Sequence, residues 1–274
     1  LKRLINILTL FAISVAAICF LFPIYWMVVG SFEHLGDTVK IPPHFLPYNA
    51  TLENYIAILF EQPFFHWIVN SLVTASAATL ICTTSSCLAG YAFAKKEFPF
   101  KNIIFWVLLS AMMIPSQVVL IPLFITMKKL GLYNTYPGVF LPSTFNAGYM
   151  FLARQYFSTI PSEFIDAARM DGASEFRIFL SVIVPISKPL IAALSIFCFV
   201  GVWSSFLWPL IITSTKEART LPVAVATVCW QPEGLMDIGL AMAGATLVAI
   251  PMYIFFFSFQ KYFVKGITLG GVKG

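Results

Sequence analysis

The chain has 274 residues, 59% of them hydrophobic and 11% charged, with a mean hydropathy of +0.87. A soluble domain carries about 25% charged residues, so this composition excludes an ordinary soluble fold and predicts a chain that crosses the lipid bilayer several times. The net charge of +5 comes without the aromatic-basic patch that single strands need, so no nucleic-acid partner is expected. The five cysteines have neither metal-ligand spacing nor a disulfide framework.

Taken in order, the first apolar span runs from Leu4 to about Val29, long enough for about 30 Å of hydrocarbon. It is too long for a signal-peptide core and lacks a clear cleavage site. Residues 30–66 form a polar, proline-rich loop with one short helix near Leu52–Phe60. The second span, about Trp67 to Ala94, is rich in small residues that let helices approach closely. The third, about Asn102 to Thr126, holds Pro115 and Pro122. The carbonyls they free must meet protein or a cavity. The fourth span is expected as one run from about Gly138 to Phe157.

A polar elbow follows, residues 158–188. Pro161 suits the first position of a helix, and Glu163 places a negative charge in its first turn. Phe164, Ile165, Ala167 and Ala168 are expected to form one face. Small alanines suit close approach of another protein better than burial in lipid. Gly172 can take the left-handed conformation that ends a helix, and Ser174 can cap a second helix running to Pro185.

The fifth span runs from about Pro189 to Ile212, residues 213–237 are expected as a second long loop, and the sixth span runs from about Ile238 to Phe263. Gly239 and Ala243, with Gly244 nearby, give the sixth span a face for packing on a helix. The tail, 265–274, alternates apolar and glycine positions and is expected to lie extended along a protein surface. With the N-terminus inside, twelve basic residues fall on inner segments and five on outer loops. That bias places both termini and the elbow in the cytoplasm of a multi-pass cell-membrane protein. The outer loop from Cys229 to Asp237 is then accessible from outside, Cys229 included.

Asp166-Ala167-Ala168, three residues, Gly172, nine residues, then Val182-Ile183-Val184-Pro185 resembles the EAA loop of ABC importer permeases. That motif runs Glu-Ala-Ala, three residues, Gly, nine residues, Ile, any residue, Leu-Pro. The spacing matches throughout, with Asp for Glu at 166 and Val at 182 and 184. Thr51-Leu52-Glu53-Asn54-Tyr55 with Asn70-Ser71, Tyr91-Ala92-Phe93-Ala94, Asp171-Gly172-Ala173-Ser174 and Gly270-Gly271-Val272-Lys273-Gly274 are similar to the smaller permease of the carbohydrate-uptake branch, the type found in the maltose importer.

The resemblance implies an all-α fold: one transmembrane domain of six helices with a cytoplasmic coupling-helix elbow, the type I ABC importer permease fold. It implies four protein partner chains of three kinds: a second, homologous permease, two ATPase subunits, and an extracytoplasmic solute-binding protein. Glu163, Asp166, Ala167, Ala168, Asp171, Gly172, Ala173 and Pro185 would couple to the ATPase, and the tail Gly270, Gly271, Val272, Lys273 and Gly274 would contact it. Trp230, Gln231, Pro232 and Glu233 would touch the binding protein. Ser204 and Ser205 stand where many relatives carry Asn and an acid. With Gln117 and Asn146 they are the candidate translocation path.

The chain has no P-loop, so ATP and Mg would be bound by partners, with no cofactor and no catalytic or metal site here. The cargo implied is an oligosaccharide or related polyol compound. A secondary transporter or channel is the alternative. Such proteins normally place ionisable residues within their spans, and these spans are nearly free of them. An intramembrane enzyme is disfavoured, because the three histidines lie in one outer loop and no span holds a pair of acids.

Overall fold

A computed structural model describes residues 2–34, 38, 45–47, 49–230 and 235–271, with side chains as far as residue 260. Among these residues the regular structure is helical, apart from an isolated antiparallel bridge between Trp230 and Met236. The chain divides into two compact units, Leu1–Trp67 with Leu221–Tyr253, and Ile68–Thr220 with Ile254–Gly274.

The first unit contains α1 (Lys2–Gly30) and α2 (Glu53–Phe60) and begins α3 (Phe64–Lys95). The apolar run of α1 matches the expected first span, and its side chains are exposed over most of its length, as a lipid-facing helix requires. Beyond α1 the chain folds back on itself. Asn54 donates to the carbonyls of Ser31 at 3.0 Å and Glu33 at 2.9 Å, satisfying backbone acceptors that burial would otherwise leave unpaired.

The second unit continues with α4 (Lys101–Ser110) and α5 (Ser116–Lys129), then α6 (Tyr136–Phe140) and α7 (Ala147–Ser158). Next come α8 (Glu163–Met170), α9 (Glu175–Ile178), α10 (Val184–Ile186), α11 (Lys188–Trp203) and α12 (Leu207–Ile212). The first unit takes the chain back at α13 (Leu221–Val228), and α14 (Ile238–Gly271) ends the described chain. In the first unit Gly239 lies so close to the carbonyl of Glu33, and Gly244 to Val225, that an added Cβ would fall 2.6 Å and 2.1 Å from them. The small residues of α14 therefore pack as expected, with Ala243 fully buried beside them.

The structure differs from the expectation in five places, one of them the fifth span, which stops at Trp203 and resumes at Leu207. Among the described residues three helices are long and apolar enough to cross a membrane, or five if each sharply bent pair is one span. The third span bends by 102° at Ile114–Pro115, because a proline disfavours the helical conformation for the residue before it and Ile114 is extended. The fourth is no single run. Thr135 caps α6 through the amide of Gly138, a 3₁₀ turn (Leu141–Ser143) carries Pro142, and Asn146 starts α7 afresh. Residues 213–237 are not all loop, because Leu221, Val223, Ala224 and Val225 of α13 are buried. Tertiary packing of that short apolar segment overrides its β-branched preference. Finally, the tail is helical through Gly271 rather than extended. Adding residues to an existing helix gains one backbone bond each, which offsets about 1 kcal/mol per glycine. Val272, Lys273 and Gly274 lie outside the described residues.

Candidate functional site: a coupling elbow and a polar cleft

The elbow is built as the sequence suggests at its joints. Pro161 lies just ahead of α8 rather than in its first position, with Ser162 between them and Glu163 first in the helix. Gly172 has φ +77° and reverses the chain. Ser174 then caps α9 by accepting from the amide of Arg177. Between α9 and α10 the helix relaxes into a π turn, Phe179–Ile183, so that Pro185 is reached without a break.

The expected single apolar face is two faces. Ile165 is 3% exposed, and Ala168 packs on the same core of Tyr91, Phe157, Ile178, Phe179 and Ile183. Phe164 is 51% exposed and Met170 88%, with Ala167 open between them. Helical periodicity groups i, i+3 and i+4 positions but cannot say which of two adjoining stripes meets the chain itself. Ile165 is thus the one buried residue of α8, and among the described residues nothing covers the outward stripe.

Charges brace the same elbow. Glu175 pairs with Lys96, beyond the end of α3, and with Arg169 at 2.9 Å, and Arg169 also reaches Asp166 at 3.1 Å. Lys96 first, and then Arg169, hold the Glu175 carboxyl below the usual carboxylate range. Such exposed pairs add little stability singly, but this set ties the start of α9 to α8 and to the end of α3. Glu163, Asp166 and Asp171 stay exposed, Ala173 is half-buried against the core, and Pro185 is exposed.

Gly172→Val is expected to leave the membrane helices folded. Nothing lies within 4 Å of the added Cβ, so the penalty is backbone strain alone, about 1–3 kcal/mol for a β-branched residue at positive φ. It should lower coupled transport without lowering the yield of inserted protein. Normal transport in the variant would show that the turn tolerates a side chain.

Of the four path residues, the fold brings two together. Asn146 and Ser205 line an open cleft of about 220 Å³, with Ser143, Phe145, Tyr149, Cys82 and Cys198 among its other walls. Cys82 sits about halfway along α3. Gln117 is exposed in the first turn of α5, and Ser204 is the exposed cap residue of α11; neither lines the cleft.

Two asparagines to which the sequence reading gave no role, Asn70 of the Asn70-Ser71 stretch and Asn134, clamp the segment after α12. Asn70 donates to the carbonyls of Glu217 at 2.6 Å and Arg219 at 2.9 Å while accepting from Tyr136. Asn134, at φ 57°, accepts from the amides of Ser214 and Thr215. Asn134-Thr135-Tyr136-Pro137 is the kind of turn sequence that could have flagged the second of these.

The family model described as the binding-protein-dependent transport system inner membrane component matches residues 86–269. The chain belongs to this family. The match covers the elbow and every wall of the cleft except Cys82. The arabinooligosaccharides transport system permease AraQ of Bacillus subtilis is 35% identical over 97% of this chain and 95% of its own. The trehalose/maltose transport system permease MalG of Thermococcus litoralis is 34% identical over 100% and 98%. In fold, the chain matches a crystal structure of a bacterial ABC transporter involved in the import of the acidic polysaccharide alginate. That match has a TM-score of 0.83 and 23% identity and covers 96% of this chain and 97% of that one. The protein is therefore an all-helical, multi-pass permease of an ABC importer, and the helices described above are its transport machinery.

Proposed function

We propose that this permease is one of two membrane-spanning subunits of an ATP-driven importer for an oligosaccharide or related polyol compound. It crosses the membrane six times with both termini in the cytoplasm. Its elbow docks on one of two ATPase subunits, and its outer loops receive cargo from a solute-binding protein. The observation that carries this reading is α8: one buried anchor, Ile165, beneath an outward stripe of Phe164, Ala167 and Met170 flanked by acids. An apolar stripe on a charged elbow suits a protein groove. The sugar relatives support the cargo class.

ATP-driven uptake that persists in the presence of ionophores tests the reading against a secondary transporter. Uptake abolished by ionophores would contradict it.

The outer loop needs a different probe from Cys229. That residue is 1% exposed, its thiol donates to the carbonyl of Val225 at 3.0 Å, and burial pushes it up to about 11. At neutral pH it is a protonated, covered thiol and a poor target for labelling. Trp230 is 59% exposed and is paired with Met236 across the tip. The amide of Asp237 donates to Cys229, closing that tip. Gln231, Pro232 and Glu233 lie outside the described residues. Trp230→Cys should therefore be labelled by a membrane-impermeant thiol reagent in intact cells, and less so with binding protein docked. Labelling seen only in inside-out vesicles would reverse the topology.

A further inference from the structure

The cleft is walled by hydroxyls, thiols, aromatic rings and one amide, and no charged side chain is among the residues lining it. Its amide has a fixed orientation. Asn146 caps α7, its Oδ1 accepting from the amides of Gly148 at 2.9 Å and Tyr149 at 3.1 Å. Two consequences follow. The first amides of α7, which would otherwise make a ready anion site, are already occupied. The acceptor end of Asn146 is spent as well, so what it can offer a ligand is the donor Nδ2.

Resting on the importer reading above, we propose that Asn146 is the cargo-reading residue of this chain. Its Nδ2 donates to a hydroxyl of an uncharged, polyhydroxylated ligand held between Tyr149 and Ser205, and the cleft rejects anionic ligands. The hydroxyls of Ser143, Tyr149 and Ser205 can each donate or accept, which suits a ligand whose own groups are hydroxyls. The rings of Phe145 and Tyr149 offer apolar faces for the C–H faces of a sugar. A carboxylate or phosphate entering the cleft would lose its water and find no cation among these walls. An unpaired charge is far more expensive to desolvate than a hydroxyl that regains a hydrogen bond.

Two substitutions separate reading from capping. Aspartate and serine cap helices about as well as asparagine, so Asn146→Asp and Asn146→Ser keep the start of α7 while removing the amide donor. The complete complex with its binding protein, in proteoliposomes, would be given radiolabelled arabinotriose and maltotriose, both uncharged, and anionic trigalacturonate. The wild-type complex should take up at least one uncharged probe and exclude trigalacturonate. Both variants should melt and copurify with their partners like wild type but lose at least tenfold in that uptake. Wild-type rates in Asn146→Ser would show that Asn146 is a cap alone and overturn the proposal. So would uptake of trigalacturonate, or of none of the probes while ATP is turned over on addition of binding protein. A wild-type complex with neither ATP-driven uptake nor binding-protein-stimulated ATP hydrolysis would instead count against the importer reading itself.

Discussion

Gly90→Val should leave little folded permease to extract. Gly90 lies on α3 where α7 crosses it. A Cβ there would sit 2.6 Å from the Cβ of Ala153 and 2.9 Å from the backbone nitrogen of Arg154. The obstacle is backbone, so no rotamer change relieves it, and the two helices must separate. Their separation would open the core around Tyr91 and Phe157, both buried and in edge contact. Overpacking that forces the backbone to shift costs about 1–3 kcal/mol, occasionally more. The measurement is thermal unfolding of the detergent-extracted complex. A melting temperature equal to that of the wild type would show that the α3–α7 crossing is looser than described.

Ile165→Ala should have the largest effect on coupling. Ile165 is the only residue of α8 that is buried, with half-buried Ala168 beside it, so α8 itself is held down mainly by one side chain, the turn at Gly172 and the exposed ion pairs of Arg169 and Glu175. Truncating a buried isoleucine costs about 2–5 kcal/mol, a large share of whatever fixes α8 locally. The membrane helices keep their own cores, so insertion and yield should persist. ATP hydrolysis should lose its dependence on binding protein and cargo, because a loosened lever no longer transmits the permease's state. Hydrolysis and transport coupled as in the wild type would mean that the ion pairs alone position the elbow.

Much of this was legible in the residues. Bilayer thickness sets the length of an apolar run, so α1 and α3 could be placed to within a few residues at both ends, and α14 at its start. The elbow's joints could be read because Gly172 and Ser174 act through local chemistry, a positive φ and a side-chain cap. What was missed depends on distance in space. Residues 138–157 read as one apolar span, although Thr135, Pro142 and Asn146 carry the capping chemistry that breaks it. Pro115 was expected to free carbonyls, but the size of the bend depends on how the halves pack. The cleft joins Asn146 to Ser205, 59 positions apart in the sequence, and only the fold shows that Gln117 and Ser204 are not part of it. Likewise, no periodicity in Phe164, Ile165, Ala167 and Ala168 reveals that Ile165 turns inward while Phe164 turns out.

The docking of α8 on an ATPase is tested most directly by copurification after Asp166→Lys. Asp166 is exposed and pairs with Arg169, which keeps Glu175 as a partner when Asp166 is lost. The change should therefore spare the elbow's internal bracing while reversing the charge it presents outward. The account predicts that the ATPase subunits are lost when the variant complex is purified in detergent, with the permease still folded. A complex that survives purification with full stimulated ATPase activity would contradict it.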